Sequence, residues 1–192
     1  MIFNFNSKTE ITHSFDESMF TQLTTMENVA ASALTTIYGN GYITLKKRDG
    51  TDAKSISVYI DGNTTPFTVA MQGGGNTVGN VLRFYFQESI RFEPYSNHTF
   101  FCQTLLASEE LPKRYNITQG IITKNAELSL VGKGKIIIAS ATIGTTYSAT
   151  VDGKTVAVDL NAQHCVDIYF TESFKCKTSY DLNYVAYVEI EK

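Results

Sequence analysis

One stretch of this chain occurs twice, and that repetition limits what the chain can fold into more than any other feature. Val81-Leu82-Arg83-Phe84-Tyr85-Phe86-Gln87-Glu88-Ser89-Ile90-Arg91-Phe92 returns near the C-terminus as Val166-Asp167-Ile168-Tyr169-Phe170-Thr171-Glu172-Ser173-Phe174-Lys175-Cys176. In the first copy Leu82, Phe84, Phe86, Ile90 and Phe92 alternate with Arg83, Gln87, Ser89, Arg91 and Glu93. The second keeps the register, setting Val166, Ile168, Phe170, Phe174 and Cys176 against Asp167, Thr171, Ser173, Lys175 and Lys177. A period of two with one apolar side is the signature of a strand with one face on a core.

Other segments repeat in the same order. Tyr38-Gly39-Asn40-Gly41-Tyr42 is matched by Val131-Gly132-Lys133-Gly134-Lys135, a Gly-x-Gly between two β-rich runs that marks a bend or bulge. A strand follows it where a phosphate cradle would need a helix, so no nucleotide loop is expected. Ile60-Asp61-Gly62-Asn63 is matched by Val151-Asp152-Gly153-Lys154, and Asp-Gly between alternating runs signals a hairpin. Asp61 and Asp152 are therefore turn residues before they are acid-base groups. The return strands are read at His98–Leu106 and Asn183–Ile190. Gly73-Gly74-Gly75 belongs to an insertion unique to the first copy and is a possible contact loop.

The expected fold is all-β: two tandem antiparallel β-sandwich, jelly-roll-like domains related by internal duplication, at 24–108 and 109–192, behind a short N-terminal arm at 1–23. In that arm Ser14-Phe15-Asp16-Glu17 has capping-box spacing ahead of Met19, Phe20 and Leu23, which allows a two-turn helix. Each half is near the lower size limit for an independent core and should lean on its neighbour.

Charge and cysteines narrow the partners. A net charge of −3, mixed in sign, gives no footprint for nucleic acid, and no apolar run approaches a membrane span. No cleaved export signal is visible. Cys102, Cys165 and Cys176 are odd in number and have no C-x-x-C spacing, which points to neither a disulfide framework nor a zinc site. His13, His98 and His164 have no metal-ligand spacing, and no cofactor is expected.

Glu88 and Glu172 are the anomaly. Strict alternation would put both carboxylates on the apolar side, where a lone charge costs several kcal/mol. A bulge or kink at Glu88-Ser89 and Glu172-Ser173 that turns the carboxylate outward, or lets it accept backbone N–H bonds, resolves the conflict. Cys165 beside His164 makes no nucleophile-base pair, because adjacent strand residues point to opposite faces. Ser89 and Ser173 lack a nucleophile-elbow context. Tyr42, Tyr59, Tyr85, Tyr95, Tyr147, Tyr169, Tyr180, Tyr184 and Tyr187 could form a sugar-stacking platform, although strand tyrosines commonly pack.

The succession of Gly39 and Gly41, Asp61 and Gly62, Phe86 and Ser89, then Gly132 and Gly134, Asp152 and Gly153, Phe170 and Ser173, resembles small β-domains in virion structural proteins of tailed bacteriophages, in tail, neck and capsid-associated positions. The resemblance implies an assembly or capsid-decoration role, folding in the host cytoplasm and residence in the virion. It also implies partners among other virion proteins and further copies of the chain, and it carries over no catalytic residue. No enzymatic activity is expected. The alternative is a carbohydrate- or receptor-binding module recognising a host surface glycan.

Overall fold

Short alternating runs bounded by turn residues can hide their apolar sides only by packing sheet on sheet. The computed structural model does this twice, and it describes residues 20–26, 35–47, 54–71, 81–94, 100–107, 113–140, 146–160 and 165–190. No helix occurs among the described residues. The first eight strands are β1 (Phe20–Met26), β2 (Thr35–Tyr38), β3 (Gly41–Lys47), β4 (Lys54–Ile60), β5 (Phe67–Met71), β6 (Val81–Phe86), β7 (Ser89–Pro94) and β8 (Phe100–Ala107). Then come β9 (Tyr115–Ile122), β10 (Glu127–Val131), β11 (Gly134–Ala139), β12 (Thr146–Val151), β13 (Lys154–Asp159), β14 (Cys165–Phe170), β15 (Ser173–Lys177) and β16 (Leu182–Glu189).

Every pairing among the described residues is antiparallel. The first sheet runs β1-β8-β3-β6 and the second β2-β7-β4-β5; the third runs β14-β11-β16-β9 and the fourth β10-β15-β12-β13. Raising each label of the first two sheets by eight reproduces the last two. This alternation between facing four-stranded sheets is jelly-roll connectivity.

Two apolar clusters fill the sandwiches. Ile136, Ile138, Phe170, Phe174 and Leu182 belong to one confined to the second half. The other contains Ile43, Ile56, Phe67, Phe84, Phe86 and Phe92 of the first half, together with Ile137, Ala139, Val185 and Tyr187 of the second. The third sheet is thus buried on both faces. That explains why β11 reads Ile136-Ile137-Ile138-Ala139 without alternation, as strands covered on both sides do. On the first-half side, β5 lies against β9, β11 and β16, and β4 against β9.

Several expectations are corrected in detail. The repeated stretch is not one strand: β6 and β7 belong to different sheets, and the chain crosses between them at Gln87-Glu88, as it does at Thr171-Glu172. The helix allowed near Phe20 and Leu23 gives way to β1, because β8 offers it a ladder from Phe20↔Ala107 to Met26↔Cys102 that outweighs local propensity. β1 also begins inside the stretch read as an arm. The glycine insertion at Gly73, Gly74 and Gly75, and all three histidines, lie outside the described residues.

Candidate functional site

The sequence-predicted positions converge on one corner in each half. Asp61 and Gly62 have φ of 50° and 74°, and Asp152 and Gly153 have 49° and 75°, the positive values that both centres of a tight hairpin turn require. Each aspartate then reaches the neighbouring crossover. Asp61 accepts the backbone N–H groups of Gln87 (3.0 Å), Glu88 (2.8 Å) and Ser89 (3.1 Å). Asp152 accepts those of Thr171 (3.0 Å), Glu172 (2.8 Å) and Ser173 (3.0 Å), plus the Thr171 hydroxyl (2.8 Å).

The rest of the corner repeats as closely. Gly39 N–H donates to Glu88 O and Gly132 N–H to Glu172 O, both at 2.9 Å; Asp61 N–H donates to Ser89 O and Asp152 N–H to Ser173 O, at 2.8 and 2.9 Å. Gly41 opens β3 between Phe86 and Leu106, and Gly134 opens β11 between Phe170 and Val188. A Cβ on Gly134 would stand 2.2 Å from the Tyr187 carbonyl oxygen, so no side chain fits there.

Glu88 and Glu172 are exposed turn residues; Glu88 pairs with Lys113, while the backbone N–H bonds go to the aspartates. Burial resists ionisation of Asp152, but the three N–H donors and the Thr171 hydroxyl outweigh it and lower its pKa to about 2. These carboxylates are occupied as turn locks.

The seam between the halves holds residues that the sequence reading passed over. In the second half Asp152-Gly153 closes a two-residue hairpin, with Val151 opposite Lys154. In the first, Asn63 N–H closes the turn onto Ile60 O at 3.1 Å, but β5 rejoins β4 only at Phe67 opposite Val58. Gln119 of β9 enters this widened hairpin: its Oε1 accepts Ile60 N–H at 3.1 Å, and its Nε2 donates to Val58 O and Thr65 O at 2.7 Å each. Gln119 is only 8% exposed, and its amide satisfies main-chain groups that would otherwise be buried unpaired. Gln87 acts similarly from the first half. It accepts N–H from Arg114 (2.7 Å) and Tyr115 (3.0 Å) and donates to Tyr115 O (2.9 Å). The available signal was Gln119 standing alone among Tyr115, Ile117 and Ile121 at alternate positions of one strand.

Four tyrosines fill the seam. Ring centroids are 5.1 Å apart for Tyr42–Tyr85, 5.5 Å for Tyr85–Tyr115 and 6.2 Å for Tyr115–Tyr187. Burial pushes the hydroxyl pKa values of Tyr85, Tyr115 and Tyr187 upward. A sugar platform made from all nine candidate tyrosines together is therefore not what the fold builds: Tyr85, Tyr147 and Tyr187 are buried, Tyr42, Tyr59 and Tyr184 are half-buried, Tyr169 and Tyr180 are exposed, and Tyr95 lies outside the described residues.

At the margin of the seam, Lys135 lies 3.2 Å from Asp167 and 5.7 Å from the ring centroids of Tyr169 and Tyr187. Burial works against its charge, but Asp167 prevails and its pKa rises. Burial raises the Cys165 thiol, and Asp167 adds to the effect; burial alone takes Cys176 to about 11. Neither is poised as a thiolate. Among the described residues, no group of three or more His, Cys, Asp and Glu side chains is placed to hold a metal ion.

The sequence matches no protein-family model and no curated protein. Solved structures resemble it loosely. YhaK from Escherichia coli has a TM-score of 0.36 at 12% identity, over 93% of this chain and 91% of that one. A Cupin 2 conserved barrel domain protein from Leptotrichia buccalis has 0.33 at 11%, over 89% and 90%. A chain of the Sulfolobus Turreted Icosahedral Virus has 0.32 at 10%, over 88% and 90%. The likeness thus extends to cupin-type barrels and virus-particle proteins and is not specific to tailed phages.

This corrects the expectation that the chain is not an enzyme. A cupin-type barrel is among the structures it loosely resembles. Jelly rolls serve cupins, lectins and capsids alike, so the fold leaves catalysis open. A barrel draws a site from side chains of several strands, which a search for nucleophile-base spacing along the sequence does not register.

Proposed function

We propose that this chain is a structural component of a bacteriophage particle, a capsid-associated, decoration, neck or tail protein that works by contacts with other virion proteins and with its own copies. The supporting observation is that both halves leave a large apolar side chain in the open at the same point. Tyr38 ends β2 opposite Ser89 and is 77% exposed; Val131 ends β10 opposite Ser173 and is 78% exposed. Each stands beside a corner fixed by the Asp61 or Asp152 lock, where a rigid backbone loses little entropy when a partner covers it. Apolar side chains held this way on a stiff block suit subunit contacts.

In this reading the halves are two duplicated domains, 24–108 and 109–192, with the first extended back to Phe20 to include β1. The chain resides in the virion after folding in the host cytoplasm. Protein analysis of particles purified from a lysate tests the proposal: the chain should copurify in fixed stoichiometry, and its absence rejects the role.

A second reading, a carbohydrate- or receptor-binding module, is favoured by the exposed rings of Tyr38, Tyr169 and Tyr180. Saturable binding on a glycan array, lost on changing one of these residues to Ala, would decide for it.

A further inference from the structure

We propose that β10 is a self-pairing edge, joining the fourth sheet to that of a second copy around a twofold axis through Ser129. This deepens the assembly reading and rests on it. β10, Glu127-Leu128-Ser129-Leu130-Val131, pairs with β15 on one side and with no described strand on the other. Its outward residues Glu127, Ser129 and Val131 are all exposed.

Natural edge strands are usually protected against pairing by Lys, Pro, bulges or inserted charge. The opposite edge of the same sheet, β13, carries Lys154 and Asp159, and one edge of the third sheet, β14, carries Asp167, whereas its other edge, β9, and the first-half counterpart of β10, the four-residue β2, carry no charge. β10 has no Lys or Pro, and its register against β15 is unbroken from Glu127↔Lys177 to Val131↔Ser173. Its one charge sits at the first residue, opposite Lys177.

The choice of partner follows from the charge pattern. Antiparallel pairing of β10 with itself about Ser129 sets Glu127 opposite Val131 of the second copy, so no like charges meet, and the exposed valines gain cross-strand neighbours. A twofold contact of this kind is closed, giving a dimer with one continuous sheet across both copies.

The test uses the full-length protein. Sedimentation should show a concentration-dependent dimer whose dissociation constant rises about tenfold or more in Ser129→Lys, while Ala157→Lys on the opposite edge strand leaves it unchanged. Ser129→Cys should give a disulfide-linked dimer on mild oxidation, which wild type under the same oxidation does not. Glu127→Cys should form one only when mixed with Val131→Cys. A wild-type monomer at every concentration overturns the proposal, as does a dimer indifferent to Ser129→Lys with no Ser129→Cys crosslink. If the chain is nonetheless present in purified particles, only this edge is wrong; absence from particles rejects the underlying reading.

Discussion

Gln119 holds the backbone of Ile60 from the other half of the molecule, accepting its N–H at 3.1 Å while its own amide nitrogen donates to Val58 and Thr65. Three hydrogen bonds on one buried side chain make this the most sensitive polar position of the seam. Gln119→Leu should lower unfolding stability by about 3 kcal/mol, since each orphaned main-chain group costs about 1–3 kcal/mol and partial relaxation recovers some of it. Urea denaturation measures this, and a loss below about 1 kcal/mol would show that the seam tolerates an open hairpin.

Asp152 predicts a pH dependence with a definite sign. Its folded pKa, about 2, lies below the ordinary value of 3.8, so its contribution is present above pH 3.8 and fades as pH falls towards 2. Asp152→Ala should be less stable than wild type at neutral pH, and the two should converge over that acid window. Denaturant midpoints measured at pH 7, 4 and 2 check it; a constant gap would mean the carboxylate is not the cause.

Gly134 and Gly153 separate two reasons for glycine. Gly134→Ala drives a methyl group into the Tyr187 carbonyl oxygen and should cost several kcal/mol or prevent folding. At Gly153 nothing stands within 4 Å of the added atom, but φ is 75°, so Gly153→Ala should cost only about 1 kcal/mol. Thermal melts of the two variants should rank in that order.

Tyr147 predicts a gain. Its buried hydroxyl has no hydrogen-bond partner among the described residues, and burial raises its pKa. Tyr147→Phe should therefore be neutral or stabilising by about 1 kcal/mol. A loss of more than about 1 kcal/mol would reveal a bond to the hydroxyl.

Local patterns made the fold readable from the sequence. Leu82, Phe84, Phe86, Ile90 and Phe92 were marked by alternation as one apolar side, and all five are buried. The all-β antiparallel class followed from such runs. Alternation could not reveal the change of sheet at Gln87-Glu88, since a crossover preserves parity while redirecting the chain. β1 and β9 went unmatched because Phe20–Met26 and Tyr115–Ile122 share no turn motif, and only their pairing with β8 and β16 makes them equivalent. Gln119 was invisible for a related reason: its partners lie 54 to 61 residues away.

The double-sided burial of the third sheet has a consequence for synthesis. Ribosomes deliver the first sandwich well before β11 and β16 exist, so Phe67 and Tyr85 must wait with their flank uncovered until β16, Leu182–Glu189, emerges. Ribosome-stalled chains ending before β16 should accordingly recruit chaperones or aggregate, and emergence of β16 should end that exposure for both halves at once.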